Sequence, residues 1–478
     1  MNARAVRLVG LLPAALAVAL VLTVYTFFSS SGTMEYRRLP VWWLTYYSSQ
    51  AEGFLRGHTN LEQEPDPRLL ALRDPYIFDA RKDIPYMWDV SLYKGKYYLY
   101  FSPVPVLLFT IPYRLVSGGY PGDDLSSLVF CAWAFLAAVA FLWRVKQRSP
   151  LFILLVGLGS VFPFVLVETR IYEVASFCAM AMAVTWAYML LRFFETPTPR
   201  WAALMGLFLG LTIVTRPNTI VLLAIAACAL WKEQRRAIIA ALIPLVLLGS
   251  AAATYNYIRF GSPFETGMSY QLTAVPMQHE RPCSLCTRAE GMRFMNTFMH
   301  YVFFPPKYVS KFPYADLRWN DVDPTVSFPV VSEQVGGIVA LTPVTMLGTL
   351  VAALLLLARR AESSILNPQS SIPSVRTAML LLAAAWLVLL TLSTCRWLNV
   401  RYSLDFYALM LLGALVMVEQ GLVWLREAGV RTAPLRAFIA LVACYSIVTG
   451  VLLGFNGRNG VFKRLNPERF EAIRRMVR

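Results

Sequence analysis

Apolar runs of about 20 residues recur along most of this chain, and they limit its fold more than any other feature. A helix of about 20 apolar residues is long enough to cross the roughly 30 Å hydrocarbon core of a bilayer. Hydrophobic residues make up 57% of the 478 residues and charged residues only 15%, whereas charged residues form about a quarter of an ordinary soluble domain. The sequence therefore predicts an all-α fold over residues 1–478, a single polytopic bundle of transmembrane helices.

Basic residues between the apolar runs indicate the topology. Lysines and arginines cluster in short connections at 144–148, 232–236 and 358–360, as expected of cytoplasmic loops. The net charge of +16 therefore reports orientation in the membrane, and we expect no nucleic-acid partner. With these loops inside, about eleven spans are predicted, near residues 8–28, 124–143, 151–168, 174–194, 201–215, 217–231, 237–257, 335–357, 377–394, 403–424 and 437–454.

Two long connections then lie on the external side. In the first, at 29–122, the apolar run 103–117 carries three prolines and is short for a crossing, so we expect it to be an interfacial helix on the outer leaflet. The second connection covers 259–333. The tail after Gly454 is basic, although an odd number of spans places it outside. Either the count is wrong by one, or the tail folds onto anionic lipid headgroups.

Several common kinds of active site are excluded by the motifs. The sequence has no GxxxxGK[ST] loop and no GxGxxG unit between a strand and a helix, so a nucleotide fold is not expected. The three histidines form no HExxH pair and GxSxG is absent. If the loop of Cys283 and Cys286 faces an oxidising compartment, a local disulfide is favoured over zinc, because no second CxxC or His pair accompanies them, and catalytic redox work is the less favoured alternative.

Charged residues at the predicted external rim are the candidates for chemistry, because charges in a membrane protein are costly and tend to face cavities or functional sites. Carboxylates could deprotonate an attacking hydroxyl, arginines could bind a departing phosphate, and aromatic rings could stack on a sugar. Ion pairs at helix ends are also common without any function, and Arg401 and Asp405 are predicted to form such an i,i+4 pair. The rim charges are Glu52, Asp89, Arg170, Glu173, Arg216, Arg259, Glu265, Arg396, Arg401 and Asp405.

Five segments, in this order and over nearly the whole chain, carry a resemblance to a known family. They are WDVSLYKGKYYLYFSPVP (88–105), IYEVA (171–175), TRPN (215–218), YNYIRFGSPFETGMSYQL (255–272) and RYSLDF (401–406). The chain resembles the GT-C superfamily of integral-membrane glycosyltransferases, which includes the aminoarabinose and protein O-mannosyl transferases. The resemblance implies a bacterial inner-membrane enzyme that inverts the anomeric centre of a polyprenyl-phosphate sugar. The acceptor would be a glycan, lipid or protein on the periplasmic or exterior side.

The resemblance also implies roles for individual residues. Better-known members place an acidic residue early in the first external loop, whereas VWWLTYY (41–47) has none, so Asp89 or Glu52 takes the role of general base. Glu173 matches the acidic residue of the second external loop, which orients the acceptor or a divalent metal such as Mg²⁺ or Mn²⁺. We assign binding of the donor phosphate to Arg401, Arg216 and Lys96. We assign binding of the acceptor or sugar to Tyr93, Trp88, Tyr172 and Arg259.

A multi-span transporter or flippase of a polar or lipid-linked substrate is the alternative function from another class. Many transporter folds contain inverted or tandem repeats and bind their substrate at the midplane of the bilayer. We find no such repeat in the pattern of spans, and the rim charges are predicted to lie at one face. A one-sided external cavity that opens to lipid would favour the transferase, whereas a midplane cavity would favour transport.

Overall fold

The computed structural model confirms a mostly helical protein of membrane type. In the part of the chain that it describes, seven helices are long and apolar enough to cross a membrane, and four shorter apolar helices accompany them. The described residues are 3–231, 233–274, 276–277, 288–319, 331–360, 372–395 and 397–477. Cys283, Cys286 and Arg396 lie outside these ranges, so the predictions for them are not addressed.

The first helix is followed by a long connection that contains several short elements. Helix α1 leads into the connection, in which a tight turn at Lys94 and Gly95, both with positive φ (48° and 74°), joins two short antiparallel strands. Such a two-residue turn matches the twist of a β-hairpin. The elements are α1 Ala3–Ser29, α2 Tyr46–Leu55, α3 Pro67–Leu70, α4 Phe78–Arg81, β1 Ser91–Tyr93, β2 Lys96–Tyr98, a π-helical turn Val106–Thr110 and α5 Ile111–Ser117.

The central part of the chain is a succession of apolar helices. It comprises α6 Asp123–Arg144, α7 Pro150–Leu158, α8 Phe162–Leu166, α9 Ile171–Glu195, α10 Pro199–Thr215, a 3₁₀ turn Pro217–Val221, α11 Leu222–Leu230 and α12 Arg235–Phe260. The predicted single helix at 151–168 is wrong in one respect, because residues 159–161 separate α7 from α8. Gly159 caps α7 and Pro163 stands in the first turn of α8, where a proline starts a helix rather than continuing one.

The last part of the chain combines short strands with further long helices. Its first half comprises a 3₁₀ turn Met268–Tyr270, α13 Arg288–Phe303, β3 Lys307–Tyr308, β4 Ala315–Asp316, β5 Arg318–Trp319, β6 Val331–Ser332, β7 Gln334–Val335, α14 Ile338–Leu341 and α15 Val344–Arg360. Its second half comprises α16 Pro373–Ser393, β8 Trp397–Leu398, a 3₁₀ helix Val400–Asp405, α17 Tyr407–Glu427, α18 Ala433–Asn456, a 3₁₀ turn Arg458–Gly460, α19 Val461–Leu465 and α20 Pro467–Met476.

Helix α9 forms the centre of the bundle, whereas α12 lies at its edge. In the most apolar 18-residue stretch of each helix, 89% of α9 is buried inside the protein but only 11% of α12. Helix α9 packs against α6 and α10, and α10 packs against α12 through Gly206, where a Cβ atom would meet the Ala241 carbonyl. Small residues allow helices to approach closely in a membrane, where hydrophobicity itself does not drive association. The exposed face of α12 is suited to lipid contact.

The basic tail packs on the same end of the bundle as the first connection. Phe462 contacts Phe27 and Phe28 at the end of α1, with ring centroids 5.6 and 6.2 Å apart. The Asn466 amide donates to the Ser31 carbonyl at 3.1 Å. Together these contacts place the tail beside the C-terminal end of α1. The tail and the first connection therefore share one end of the bundle, which is what an odd number of crossings predicts.

Candidate functional site

The ends of several helices meet the first connection at one face of the bundle and bring ionisable residues together there. The contributing ends are the N-termini of α9 and α17 and the C-termini of α10 and α18. The parallel pairing of β6 with β8 sets the segment before α14 beside the segment before α17. We call this group of side chains the rim cluster. It comprises Asp89, Tyr172, Glu173, Arg216, Gln271, Glu333, Arg401, Tyr402, Asp405 and Arg458.

Asp89 is the carboxylate that the first connection contributes. It lies just before β1 with φ at 55°, a left-handed conformation that Asp tolerates better than most residues. Its backbone N–H donates to the Leu272 carbonyl at 3.0 Å. Its side chain accepts hydrogen bonds from the Tyr172 hydroxyl and, at 3.0 Å, from the Gln271 amide. Among the described residues, the hydrogen-bond donors to this carboxylate are therefore neutral, and Asp89 itself is 8% exposed.

Tyr172 connects Asp89 to Arg401. It stands in the first turn of α9, and its ring packs edge-to-face on Phe101 with centroids 5.7 Å apart. The guanidinium carbon of Arg401 lies 4.1 Å from the centroid of the Tyr172 ring, a distance typical of a cation–π contact. One tyrosine thus holds a carboxylate through its hydroxyl and a guanidinium through its ring.

Asp89 contributes to raised pKa values of two tyrosines, Tyr100 and Tyr46. Burial, and next the Asp89 carboxylate, raise the pKa of Tyr100 well above the usual value. Burial and then Asp89 also raise the pKa of Tyr46, whose hydroxyl donates to the Trp88 carbonyl at 2.8 Å. Both phenols are therefore protonated at neutral pH and add no charge near Asp89.

Arg401 lies between two carboxylates without being closely bound to either. Its Nη1 atom is 3.4 Å from Glu173 Oε1 and 3.8 Å from Glu333 Oε2. A guanidinium has five N–H donors in a planar fork, and these two long contacts involve a single nitrogen. The side chain of Arg401 is 12% exposed. The described residues form no hydrogen bond with its other N–H groups, so this largely buried cation can offer them to a further anionic group.

The predicted pair of Arg401 with Asp405 is wrong. Residues 400–405 form a 3₁₀ helix, in which i and i+3 rather than i and i+4 lie on one face. Asp405 instead accepts from Arg216 Nη2 at 2.8 Å and from Arg216 Nε at 3.2 Å, and Asn218 adds a bond of 2.8 Å. The Asp405 side chain is fully buried. Arg216, predicted to bind phosphate, thus forms a buried ion pair with several hydrogen bonds, and this pair joins α10 to the start of α17.

Glu173 is held at the N-terminus of α9. One of its oxygens accepts from the Arg170 backbone N–H at 2.9 Å, as an acidic residue at the third position of a helix commonly does, and the other faces Arg401. Because one Glu173 oxygen accepts a hydrogen bond and the other faces a guanidinium, the residue is not placed among the oxygen ligands that Mg²⁺ or Mn²⁺ needs. In the described ranges no group of three or more His, Cys, Asp and Glu side chains could hold a metal ion, so we derive no step through a metal.

Four members of the rim cluster were missed at the level of sequence, namely Gln271, Glu333, Tyr402 and Arg458. Glu333 bridges Arg401 and Arg458, and its Oε1 atom lies 3.0 Å from Arg458 Nη2. Arg458 follows α18 in the segment NGRNG, where Gly457 and Gly460 have positive φ (61° and 69°). That glycine-rich turn was the available signal for Arg458. Gln271 and Tyr402 stood within the family-like segments 255–272 and 401–406, whereas Glu333 had no local signal.

Glu52, the other predicted base, belongs to a different group of residues. It accepts from the Tyr120 hydroxyl and from Arg56 Nε at 3.0 Å. The Tyr120 hydrogen bond and the Arg56 guanidinium hold the pKa of Glu52 below its usual value, against the effect of burial. In the described structure it shares no hydrogen-bond partner with Asp89. Asp89, rather than Glu52, is therefore the predicted base that lies in the rim cluster.

The remaining predicted site residues lie around the β-hairpin. Lys96 is exposed on β2, and Tyr93 packs against Tyr270 with centroids 4.5 Å apart. Trp88, next to Asp89, keeps 40% of its surface exposed. Arg259 is buried and donates to the Leu99 carbonyl and the Asn256 side chain, both at 2.7 Å. Of these four, Trp88 is adjacent to the rim cluster. Arg259 instead connects α12 to Leu99, the residue after β2.

Comparisons with known proteins add no identification. No protein-family model matches the chain. No curated protein matches it either.

Proposed function

We propose that this protein is a GT-C-like glycosyltransferase that moves a sugar from a polyprenyl-phosphate donor to an acceptor hydroxyl. The transfer takes place on the external face of a bacterial inner membrane and inverts the anomeric centre. The proposal depends above all on the contacts of Tyr172, whose hydroxyl binds Asp89 and whose ring lies 4.1 Å from the Arg401 guanidinium carbon. A base and a phosphate-binding cation are thereby held within reach of one substrate.

In the proposed step, Asp89 takes the proton of the acceptor hydroxyl while its oxygen attacks the anomeric carbon. The bond from that carbon to the phosphate oxygen breaks, and the polyprenyl phosphate leaves with the electron pair and one more negative charge. Arg401 binds that charge through donors that Glu173 and Glu333 leave free. Tyr172 positions both groups, and Arg458 supplies a second cation through Glu333.

The arrangement of the helices supports an external site. Eleven crossings follow if α7 with α8, the 3₁₀ turn with α11, and α14 with α15 each count as one. Every rim-cluster residue then lies at the external end of its helix or in an external connection, together with the C-terminal tail. This arrangement differs from that expected of a transporter, whose charged residues would be at the midplane.

The test is transfer by purified protein in lipid nanodiscs, supplied with labelled polyprenyl-phosphate sugars and a crude envelope extract. Wild type should label one extract fraction. Asp89→Asn should reduce the rate by roughly 10² to 10⁴ while still binding donor. Asp83→Asn, an exposed acid in the same connection, is the matched control and should behave as wild type. Absence of transfer, together with translocation of a lipid-linked sugar in proteoliposomes, would establish the transporter instead.

A further inference from the structure

A pocket of about 360 Å³ opens in the first connection and is lined by Trp42, Trp43, Leu44, Glu62 and Gln63. We infer that this pocket binds a neutral oligosaccharide and serves as the acceptor subsite. As an acceptor subsite it rests on the proposed transferase function, whereas saccharide binding can be measured by itself.

The two tryptophans supply the stacking surface. Trp42 is 80% exposed and Trp43 is 60% exposed, so both rings present accessible faces. Their centroids are 6.1 Å apart and their planes are inclined by 54°, so the rings are not stacked face to face on each other. Indole rings have flat apolar faces and a polar N–H, which suits the C–H faces and hydroxyls of sugars. The pair can therefore stack on two successive sugar units.

The wall beside the tryptophans is polar and held in place. Glu62 is 2.8 Å from Arg56 Nη1 and 3.0 Å from His58 Nε2. The Gln63 amide donates to the Leu44 carbonyl at 3.2 Å, and its oxygen accepts from the Ser49 hydroxyl. Glu62 Oε1 is buried, but Glu62 Oε2 and the Gln63 amide have more lone pairs and N–H groups than these contacts use. They can consequently receive hydroxyl groups at fixed positions.

The same wall argues against a lipid tail as the occupant. An acyl chain would remove water from Glu62 and Gln63 without replacing its hydrogen bonds, which is costly for polar groups. It also argues against a cationic ligand, because Arg56 already offsets the charge of Glu62. A neutral saccharide fits both the rings and the polar wall.

The pocket is joined directly to the rim cluster. Trp42, Trp43 and Leu44 precede Thr45, the residue that caps α2. In the first turn of α2, Tyr46 donates to the Trp88 carbonyl at 2.8 Å and Tyr47 donates to the Ile171 carbonyl at 2.9 Å. Trp88 precedes Asp89 and Ile171 precedes Tyr172, so the first turn of α2 contacts the backbone next to both partners of the Asp89–Tyr172 hydrogen bond. The segment that carries the two tryptophans therefore also supports the backbone beside the proposed base.

The experiment is calorimetric titration of the full-length protein in nanodiscs with cellohexaose, maltohexaose and chitohexaose, without any donor. We expect saturable binding of at least one of them, weakened roughly tenfold or more by Trp42→Ala or Trp43→Ala. Trp231→Ala is the matched control, because Trp231 is 81% exposed but lies at the end of α11. That variant should bind as wild type does.

Two results would overturn the inference. One is the lack of saturable binding for all three oligosaccharides, or binding that the Trp42 and Trp43 variants leave unchanged. The other is quenching of the Trp42- and Trp43-dependent fluorescence by lipids brominated in their acyl chains, which would identify the pair as membrane anchors. Saccharide binding without transfer from any donor would reject the transferase and keep the pocket. Transfer without saccharide binding would reject the pocket and keep the transferase.

Discussion

Arg216 and Arg401 lie at the same face of the bundle and against the same residue, Tyr402, yet their surroundings differ. The guanidinium carbon of Arg216 is 5.0 Å from the centroid of the Tyr402 ring, and that of Arg401 is 5.9 Å away. Arg216 binds the fully buried Asp405 through two nitrogens, at 2.8 and 3.2 Å. Arg401 approaches Glu173 and Glu333 through one nitrogen, at 3.4 and 3.8 Å.

The difference separates a structural ion pair from a binding cation. A buried pair with short, multiple hydrogen bonds is strongly destabilised when one partner is removed, because the other charge is then left unpaired. A cation with long contacts and free donors can accept a phosphate without giving up a carboxylate first. The two arginines are indistinguishable by residue type and predicted depth, so their partners decide which one acts on substrate.

Removal of Asp405 should give the largest effect on stability. Asp405→Asn leaves Arg216 buried without its counter-charge, and we expect a loss of about 3 to 5 kcal/mol. Thermal unfolding in detergent measures this loss. Glu419→Gln is the control, because Glu419 lies 3.7 Å from Arg436 in a much more exposed pair, which should contribute at most about 1 kcal/mol. Equal stability of the two variants would mean that the Arg216 pair is not structural.

Arg401→Lys should weaken donor binding and leave the fold intact. Lysine keeps the charge but loses the planar fork that holds two phosphate oxygens, so we expect roughly tenfold lower affinity for a polyprenyl phosphate. Titration of the phosphate into protein in nanodiscs gives this affinity. Arg216→Lys provides the contrast, since it should lower the unfolding temperature more than Arg401→Lys does. Unchanged affinity in Arg401→Lys would assign Arg401 to structure as well.

Tyr172→Phe should have a moderate effect on turnover. The variant keeps the ring beside Arg401 but removes the hydroxyl that binds Asp89. Without that hydrogen bond the Asp89 carboxylate is no longer fixed at the position from which it would take the acceptor proton, so we expect a roughly tenfold lower kcat with donor affinity unchanged. Single-turnover rates and titration of a polyprenyl phosphate measure the two quantities separately. A loss of donor affinity as large as the loss of rate would mean that Tyr172 supports only the packing.

The smallest effect should come from Glu52, which lies apart from both arginines. Its pKa is held below the usual value of 4.5 by Tyr120 and Arg56. A carboxyl whose pKa is lower in the folded state contributes stability above about pH 4.5 that disappears as the pH falls through the folded value. At pH 7, Glu52→Gln should therefore lower the free energy of unfolding by about 1 kcal/mol or less and unfold at a lower temperature than wild type. The two proteins should converge in acid, and a difference that grows as the pH falls would contradict this role.

The sequence predicted the helical framework because the information for it is local. Runs such as 377–394 are long and apolar, and helix α16 is found at Pro373–Ser393. Departures occur where local signals compete. Glycine and proline divide 151–168 into two helices, and the segment before α17 winds as a 3₁₀ helix over Val400–Asp405.

The candidate site was predictable in its residue types but not in its partners. Charges at the rim of an apolar chain are costly, so the sequence alone identifies Asp89, Glu173, Arg216 and Arg401 as candidates for a structural or functional role. Which charge meets which depends on contacts between distant segments, since Arg216 is 189 residues from Asp405 and Gln271 is 182 residues from Asp89. Hydropathy and spacing determine that this chain forms membrane helices, because each helix satisfies its own backbone hydrogen bonds. Tertiary packing alone decides that Asp405 binds Arg216 and leaves Arg401 available, because a buried carboxylate pairs with the cation that the neighbouring helices bring closest.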